Sequence, residues 1–445
     1  MTYFSIHNHT CYSNLRLIDS INKPEDLLDY AVELGLAGVA ITDHESLSAH
    51  LKAFNYWEKK YKDSGFKLVF GNEIYIGRND LSKETYQKGE PFFHFILLAK
   101  DLEGYRQMRE LSSRAWNRGF TQFMTRVWTT PNDLYEIVRG QHLIASSACI
   151  GGYLGRKFKE GDYESIERFA TAMEELFGKN HWYIEIQPSW QEDQIAYNKY
   201  LLKTFWGRMP FIFTTDSHYL KKEDRSIHRA FLNSKQGDRE VDSFYASAYM
   251  MSYDEVWDYF KDYVTEAQMK EMAQNTLRIL DMIQPFDIRK PQEIPHIRHV
   301  AIEDRRTELY KLIGADGREH LRYFLTTDDE DDSYFMKLVT LGWLKENVPK
   351  SRIEAYLDRL EIELRTLALI SEVKKVKIAN YFTTMNKLMD IVWHQADSLV
   401  GPSRGSAGGF LINYLLGITQ MNPMEQPLNM PPWRFLDPER PDYPD

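Results

Sequence analysis

Short apolar runs alternate with amphipathic segments over the first half of the chain. Segments with apolar side chains at helical spacing, such as residues 23–34, stand between apolar runs of strand length. Strands are predicted at residues 3–6, 37–42, 67–70, 93–99, 142–145, 182–186 and 211–215. Seven strands with helices between most of them indicate an α/β domain, built as a parallel sheet or a closed barrel.

The second half of the chain has a different pattern. Beyond residue 220, helical periodicity continues without buried strands between the helices, and a long helical region is predicted at residues 333–371. Residues 284–297 contain three prolines and are predicted to form an extended linker. We interpret the acidic run at 328–332 as a solvated loop or helix start rather than a metal site, because charge runs are usually solvated.

Composition narrows the class of protein. The 445 residues exceed what one hydrophobic core usually covers, so several domains are expected. A net charge of −10 argues against a generally basic nucleic-acid-coating protein, although it leaves a local basic groove open. The sequence has neither an apolar run of about 18 residues nor a signal-peptide pattern, so we expect no membrane partner and a cytoplasmic location. Cys11 and Cys149 are expected to be thiols.

Metal-ligating side chains fall at corresponding places along the strand series. His7 and His9 end the first strand, and alternate residues of an extended chain share a face, so both imidazoles can bind one ion. His94 stands instead at the head of its strand. Because such folds place their chemistry at the carboxyl ends of strands, we expect these groups to converge with the polar residues at later strand ends. Those residues are His44, Glu73, Cys149, Asp216 and His218.

The motifs that carry these residues resemble those of the polymerase-and-histidinol-phosphatase (PHP) family. They are His7-Asn8-His9, Thr42-Asp43-His44, Gly71-Asn72-Glu73, His94, Cys149 in SSAC, and Asp216-Ser217-His218. The resemblance implies a distorted seven-stranded β/α barrel that holds two to three divalent ions, for which zinc and manganese are equally suitable. It implies ligand roles for His7, His9, His44, Glu73, His94, Cys149, Asp216 and His218.

A ninth ligand place is less clear in the sequence. The family implies an Asp or His a few residues after the first histidine pair, where Asn14 stands close by and Asp19 follows a short insertion. Asp19 is favoured, and Asp43 is interpreted as a residue that supports the ligands. A cluster of this kind can hydrolyse a phosphoester, because divalent ions activate water and stabilise charge on the phosphoryl group. The alternative is a structural metal site without turnover.

Residues 400–409, VGPSRGSAGG, form the second segment where chemistry is expected. Its glycines, serines and arginine offer backbone N–H groups and a guanidinium to a phosphate. The alternative is a tight turn that needs positive φ. Together with GITQMNPMEQPL and RFLDPERPDYPD, the segment resembles the palm of C-family DNA polymerase III alpha subunits, whose N-terminal domain is a PHP barrel. The resemblance implies that Arg404, Gly405 and Ser406 approach the phosphates of an incoming nucleotide.

The same resemblance concerns the catalytic aspartates of the palm. Spacing from Asp437-Pro438-Glu439-Arg440 makes Asp445 the first catalytic aspartate, with Asp442 as the alternative register. Transfer of a nucleotide needs carboxylates that bridge two Mg²⁺ ions, and one aspartate cannot build that site. We therefore expect the N-terminal piece of a split polymerase, completed by a second chain that carries the remaining aspartates and the fingers.

These observations lead to a domain division and a function. We predict a PHP metal-binding barrel at 1–222, a helical connector and extended linker at 223–300, and the N-terminal part of a C-family palm at 301–445. The expected function is DNA synthesis within a complex on primer–template DNA and dNTPs, with the barrel as a 3′–5′ proofreading exonuclease. A sliding clamp is a candidate partner, and the location is the bacterial host cytoplasm if a phage encodes the protein. The alternatives are a freestanding phosphoesterase on small phosphates and a non-catalytic, metal-stabilised interaction module.

Overall fold

The computed structural model describes residues 1–87, 90, 92–120, 127–234, 244–314, 317–425 and 430–439. They belong to two units, Met1–Arg289 and Lys290–Asp445. Each unit buries its own set of apolar side chains. None of the helices in the described part of the chain is long and apolar enough to cross a bilayer.

The first unit is built on seven strands that pair in chain order. They are β1 (Phe4–Ser5), β2 (Gly38–Ile41), β3 (Lys67–Ile76), β4 (Phe93–Ala99), β5 (Leu143–Ser146), β6 (Trp182–Ile186) and β7 (Phe211–Phe213). Neighbouring strands are parallel except that β4 runs antiparallel to both β3 and β5. The predicted seven-stranded α/β barrel is confirmed, with one strand reversed.

The seam between β7 and β1 closes at one end of the strands. There the Ser217 N–H donates to the His7 carbonyl (3.2 Å) and the His9 N–H donates to the Ser217 carbonyl (2.9 Å). This pairing is the isolated parallel bridge between Asn8 and Ser217. The sheet therefore curls into a barrel whose first and last strands meet at the rim that carries the strand ends.

Successive side chains along each strand point alternately into the barrel and outward beneath the helices. Ala40, Val69 and Ile96 point into one buried cluster, whereas their chain neighbours Val39, Phe70, Phe95 and Leu97 belong to the larger cluster beneath the helices. Because both faces of these strands are buried, their sequences read as nearly continuous apolar runs. This burial explains why the strands could be predicted from short apolar segments.

Helices cover the outside of the barrel. They are α1 (Pro24–Glu33), α2 (His50–Lys60), α3 (Leu102–Arg118), α4 (Pro131–Ile137), α5 (Tyr153–Glu160), α6 (Tyr163–Phe177), α7 (Glu192–Phe205), α8 (Arg225–Asn233), α9 (Tyr253–Phe260) and α10 (Glu266–Met282). Capping boxes begin several of them, as where Ser252 and Glu255 bond each other's backbone N–H at the start of α9.

Helix α10 belongs to the barrel, although residues 223–300 were predicted to be a connector and linker. Thr276 Oγ1 accepts a hydrogen bond from the Phe4 N–H (3.0 Å), and Asn275 donates to the Phe211 carbonyl (2.8 Å). The helix thus bonds to both β1 and β7, and its residues Met269 and Met272 are fully buried. The sequence showed the helix but could not show that its apolar face covers the barrel.

The second unit is mostly helical, as predicted. It contains α11 (Arg306–Tyr310), α12 (Glu319–Thr326), α13 (Glu330–Glu346), α14 (Ile353–Lys374), α15 (Ala379–His394) and α16 (Leu411–Leu415). The single helical region predicted at 333–371 is divided between α13 and α14, because Asn347 adopts φ +52° at the end of α13 and Pro349 follows it. Residues 290–305 have neither helix nor strand.

His50 on α2 makes the stability of the first unit sensitive to acid. Its Nε2 lies 3.0 Å from the Gly71 carbonyl, and burial lowers its pKa to about 4. An unfolded histidine titrates near pH 6.5, so the unfolded chain binds the proton first as the pH falls. Stability should therefore decline between about pH 6.5 and pH 4, and His50→Gln should reduce the loss between pH 7 and pH 5 by about 2 kcal/mol. Urea unfolding of both proteins at the two pH values measures this difference; equal losses would contradict the prediction.

Candidate metal centre

The residues predicted as metal ligands meet at one rim of the barrel. His7 and His9 follow β1, His44 follows β2, and Asp216 and His218 follow β7. Glu73 lies on β3 and Cys149 just beyond β5. His94 reaches the same rim because β4 runs antiparallel, so that its amino end lies beside the carboxyl ends of its neighbours. The reversed strand explains the position of His94 that was exceptional in the sequence.

The first group of side chains surrounds Asp216. The Nε2 atoms of His7 and His9 are 3.1 Å apart, and Asp216 Oδ1 lies 3.2 Å from the first and 3.1 Å from the second. The Glu73 carboxylate is 3.6 Å from His7 Nε2 and 3.5 Å from His9 Nε2. All four side chains are buried. Two imidazole nitrogens and two carboxylates therefore face one small volume.

The second group contains three histidines, and Asp19 rather than Asn14 lies beside two of them. Asp19 Oδ2 lies 2.9 Å from His44 Nε2 and 3.3 Å from His218 Nε2, and one ligand nitrogen from each of these histidines lies within 4.8 Å of one from His9. Asn14 instead accepts hydrogen bonds from the Asp19 and Ser20 N–H groups, through its side-chain oxygen. Asp19 therefore lies in the cluster, whereas Asn14 stabilises the loop that carries Asp19.

The third group brings sulfur into the centre. His94 Nδ1 lies 2.7 Å from Glu73 Oε1 and 3.4 Å from Cys149 Sγ. The other Glu73 oxygen contacts His44 Nδ1. Glu73 therefore stands among the histidines of all three groups, and His94, whose side chain is one-fifth exposed, marks the open side of the centre.

The donor set fits divalent metal ions. Asp19 Oδ1 is buried without a hydrogen-bond partner among the described residues, and the Glu73 oxygens and Asp216 Oδ1 meet imidazole nitrogens at short distances without a well-aligned hydrogen bond. Unpartnered buried carboxylate oxygens are costly, and a bound cation would satisfy them. A mixture of imidazole, carboxylate and thiol groups is the set that zinc and manganese-type ions accept.

The electrostatics differ between the histidines: although burial opposes the shift, the buried carboxylates raise the pKa values of His7, His44 and His218, whereas the pKa of His9 falls. Burial, together with the charges of His44 and His218, lowers the pKa of His9 to about 3, so His9 is neutral and its lone pair is free to coordinate. Although burial opposes the shift, the neighbouring histidines hold the pKa of Asp19 and of Glu73 well below the usual range. Burial, and then the charges of Asp216 and Glu73, raise the pKa of the Cys149 thiol well above its ordinary value. Deprotonating that thiol requires a nearby cation.

Two supporting carboxylates complete the centre, of which the sequence showed one. Asp43 accepts hydrogen bonds from Ser13 Oγ (2.7 Å), which lies 3.0 Å from His9 Nδ1, so it supports the cluster without facing it. Glu185 on β6 was missed: its Oε1 lies 2.8 Å from His7 Nδ1 and accepts from Thr214 Oγ1 (2.5 Å). A glutamate inside the otherwise apolar strand WYIEI was the available signal.

The glycine-rich segment of the second unit forms a short 3₁₀ turn, Gly405–Gly409, with Gly405 at φ +66°. The first N–H groups of α16 are already hydrogen-bonded within the protein, because those of Leu411 and Ile412 donate to the Glu363 carboxylate (2.8 and 2.9 Å). Arg404 is exposed and forms neither hydrogen bond nor ion pair within the described part of the chain. Asp442 and Asp445 lie outside the described residues.

A mixed seven-stranded barrel with a rim cluster of histidines and carboxylates defines a PHP-type domain, and residues 5–189 match the family model described as "PHP domain". Residues 333–445 match the model described as "Bacterial DNA polymerase III alpha NTPase domain". The chain thus carries a match to the PHP domain followed by a match to the bacterial DNA polymerase III alpha NTPase domain, and its curated relatives include DNA polymerases. Both resemblances drawn from the motifs are confirmed.

Curated relatives extend the similarity along the chain. It is 38% identical, over 99% of its length, to "Probable DNA polymerase YorL" of Bacillus subtilis (strain 168) and to "DNA-directed DNA polymerase" of Bacillus phage SPbeta. It is 28% identical over its full length to "DNA polymerase III subunit alpha" of Borreliella burgdorferi. The chain spans 36% of the first two relatives and 34% of the third.

Proposed function

We propose that the chain is the PHP-containing part of a replicative DNA polymerase, and that its barrel removes nucleotides from DNA 3′ ends by metal-dependent hydrolysis. The convergence of five histidines, three carboxylates and a thiol at one rim carries this proposal, together with a buried Asp19 oxygen that has no hydrogen-bond partner among the described residues. The similarity to DNA polymerases over almost the whole chain supports DNA rather than a small phosphate as the substrate.

The ligands of the barrel would be the nine residues that meet at the rim: His7, His9, Asp19, His44, Glu73, His94, Cys149, Asp216 and His218. When bound there, two or three zinc or manganese ions would polarise a phosphoryl oxygen and lower the pKa of water. Neighbouring protein groups determine which ring nitrogen of His7 and of His9 faces the centre. Glu185 holds His7 through Nδ1, so that Nε2 faces the centre, and Ser13 does the same for His9.

One cation stands close to this centre. The Arg16 guanidinium lies 4.5 Å from the centre of the Tyr75 ring, and the Tyr75 hydroxyl is 3.1 Å from His44 Nδ1. A guanidinium recognises phosphate through paired N–H groups. We infer that Arg16 positions the phosphodiester of a DNA end beside the ligands.

The polymerase activity proposed for the completed enzyme depends on residues beyond those described here. Asp445 would be the first aspartate of a Mg²⁺ site that the rest of the polymerase completes, whether on a second chain or on a longer one. Since Glu363 occupies the N–H groups at the start of α16, nucleotide phosphates would meet Arg404, Gly405 and Ser406 instead. Primer–template DNA and dNTPs are the proposed ligands, a sliding clamp is a proposed partner, and the cytoplasm of the bacterium or phage host is the proposed location.

A comparison of two substrates tests the function of the barrel. The chain is stripped of metal, reloaded with zinc or manganese, and offered a primer with a mismatched 3′ nucleotide or a small aryl phosphomonoester. We expect release of the mismatched nucleotide, dependent on metal, with little hydrolysis of the small ester. The opposite preference would support a freestanding phosphoesterase, and inactivity of the metal-loaded chain on both substrates would support a metal-stabilised interaction module.

A further inference from the structure

A second cluster of metal-ligating side chains lies in the unit Lys290–Asp445. His296 and His299 belong to the segment 290–305, which has neither helix nor strand, and Asp331 lies in the first turn of α13. One ligand atom from each of the three residues lies within 4.8 Å of the other two. The barrel residues and the polymerase motifs contribute nothing to this cluster.

The two imidazoles approach one carboxylate oxygen. His296 Nε2 lies 2.9 Å from Asp331 Oδ1, and His299 Nε2 lies 3.4 Å from the same atom. His299 Nε2 is buried and has no hydrogen-bond partner among the described residues. Its ring stacks on Tyr334 with a centroid distance of 4.1 Å and an interplanar angle of 8°, which fixes the direction of the nitrogen. A buried ring nitrogen that is fixed 3.4 Å from a carboxylate oxygen, without a hydrogen bond to it, indicates that an ion can bind between the two atoms.

Neighbouring side chains hold the cluster in position, so that Asp331 Oδ1 faces only the two histidines among the described residues. Asn380 on α15 donates to Asp331 Oδ2 (3.0 Å), so the outer carboxylate oxygen is already satisfied. Lys377 pairs with Asp329 (2.8 Å) and Asp332 (3.0 Å), the acidic residues on either side of the cluster, and it forms no ion pair with Asp331 within the described residues. The carboxylate is thus oriented in the way that residues behind a metal ligand orient it.

The segment that carries the histidines is also attached to the helices. Thr384 Oγ1 on α15 donates to the Pro295 carbonyl (3.0 Å), next to His296. The other nitrogen of His299 lies 3.6 Å from the Glu330 carboxylate, which is largely exposed. His296 is 58% exposed and His299 is 12% exposed. The cluster therefore has two largely covered ligands, His299 and Asp331, and one exposed ligand, His296, on the side toward solvent.

We propose that His296, His299 and Asp331 bind a divalent transition-metal ion, with zinc as the best match, through two imidazole nitrogens and one carboxylate oxygen. Water would fill the remaining position on the open side. Two nitrogens and one oxygen suit zinc, whereas magnesium and calcium prefer oxygen ligands alone. The ion joins the extended segment 290–305 to the start of α13. A helix begins within residues 328–332, as expected, and the proposed site adds a metal role for Asp331.

Chemical modification of the full chain tests this site apart from the barrel. Diethyl pyrocarbonate modifies accessible histidines, and peptide mass spectrometry reads the modification at each one. At a zinc concentration about ten times the Kd, His296 should react about tenfold more slowly than in metal-free protein. His394, which is 73% exposed and stands outside every metal-ligating cluster found among the described residues, should react at the same rate in both states. Magnesium at the same concentration should protect neither histidine.

Asp331→Asn is the matched variant, because asparagine has the same shape and loses only the charge. Zinc protection of His296 that disappears in Asp331→Asn supports the site, as does the loss of one zinc equivalent per chain by elemental analysis. Equal modification of His296 with and without zinc would overturn the proposal. Protection that persists unchanged in Asp331→Asn would overturn the three-ligand assignment. The barrel centre is unaltered in both proteins, so the outcome does not depend on the proposed nuclease activity.

Discussion

Glu73→Gln is expected to abolish hydrolysis at the barrel rim and to lower metal binding. The Glu73 carboxylate lies 2.7 Å from His94 Nδ1, contacts His44 Nδ1, and stands within 3.6 Å of His7 Nε2. Glutamine preserves the shape of the side chain but offers one neutral oxygen. Removing a group behind a metal ligand costs about 10–100-fold in affinity or activity. Removing a residue that would itself coordinate should therefore cost at least about 100-fold in the rate of nucleotide release.

Two measurements on this variant separate the ligand role from the proposed reaction. The rate of 3′ nucleotide release is measured at saturating metal, and bound metal per chain is measured by elemental analysis. Glu33→Gln, at the exposed end of α1, is the matched control and should leave both quantities unchanged. A variant that binds less metal supports the ligand role even if the wild-type chain hydrolyses nothing. Full metal content and a rate within about twofold of wild type would contradict it.

Glu363→Ala is expected to destabilise the second unit by about 3–5 kcal/mol, because the buried Arg359 guanidinium loses the carboxylate that balances its charge. Glu363 is fully buried, accepts from Arg359 Nε (2.6 Å) and holds the N–H groups of Leu411 and Ile412. Arg359 also donates to the carbonyls of Gly409 and Met430. One ion pair therefore connects α14 to the turn that precedes α16.

The control for this prediction lies on the same helix. Glu372 is an exposed residue near the end of α14, and Glu372→Ala should change the free energy of unfolding by less than about 0.5 kcal/mol. Urea unfolding of wild type and both variants gives the three values. Hydrogen exchange of the Leu411 and Ile412 amides should become faster in Glu363→Ala alone. A loss of stability below about 1 kcal/mol would mean that water or another side chain replaces the carboxylate.

The strands and the residues of the rim could be predicted because both are local properties of the sequence. Buried strands read as apolar runs, and His7, His44 and Asp216 lie beside the runs they follow. The direction of β4 could not be predicted, since periodicity is the same for either direction. In a purely parallel sheet, a residue at the head of a strand such as His94 would lie at the opposite end from the other ligands. Because β4 is reversed, His94 lies at the same rim as they do.

The parts of the site that the sequence did not show depend on contacts between distant segments. Glu185 supports His7 from 178 residues away, and no spacing rule connects the two. Glu363 occupies the N–H groups at the start of α16, which the sequence offered as a possible phosphate site. His299 and Asp331 stand on either side of two helices in the chain order. Sequence motifs identify side chains that are able to bind a metal ion or a phosphate. The tertiary contacts of each side chain determine which partner it has in the folded protein.

The rim cluster lies across the seam where the first and last strands of the barrel meet, so a bound ion would connect these two strands. The chain segments that follow the first and last strands meet through the bridge between Asn8 and Ser217. The residues on either side of each bridge partner face the metal centre: His7 and His9 beside Asn8, and Asp216 and His218 beside Ser217. An ion held between them would be a cross-link between strands more than 200 positions apart in sequence, of the kind that a disulfide supplies in other proteins. Loading of the centre and closure of the barrel would then be one cooperative event, and chelation would loosen the sheet at this seam.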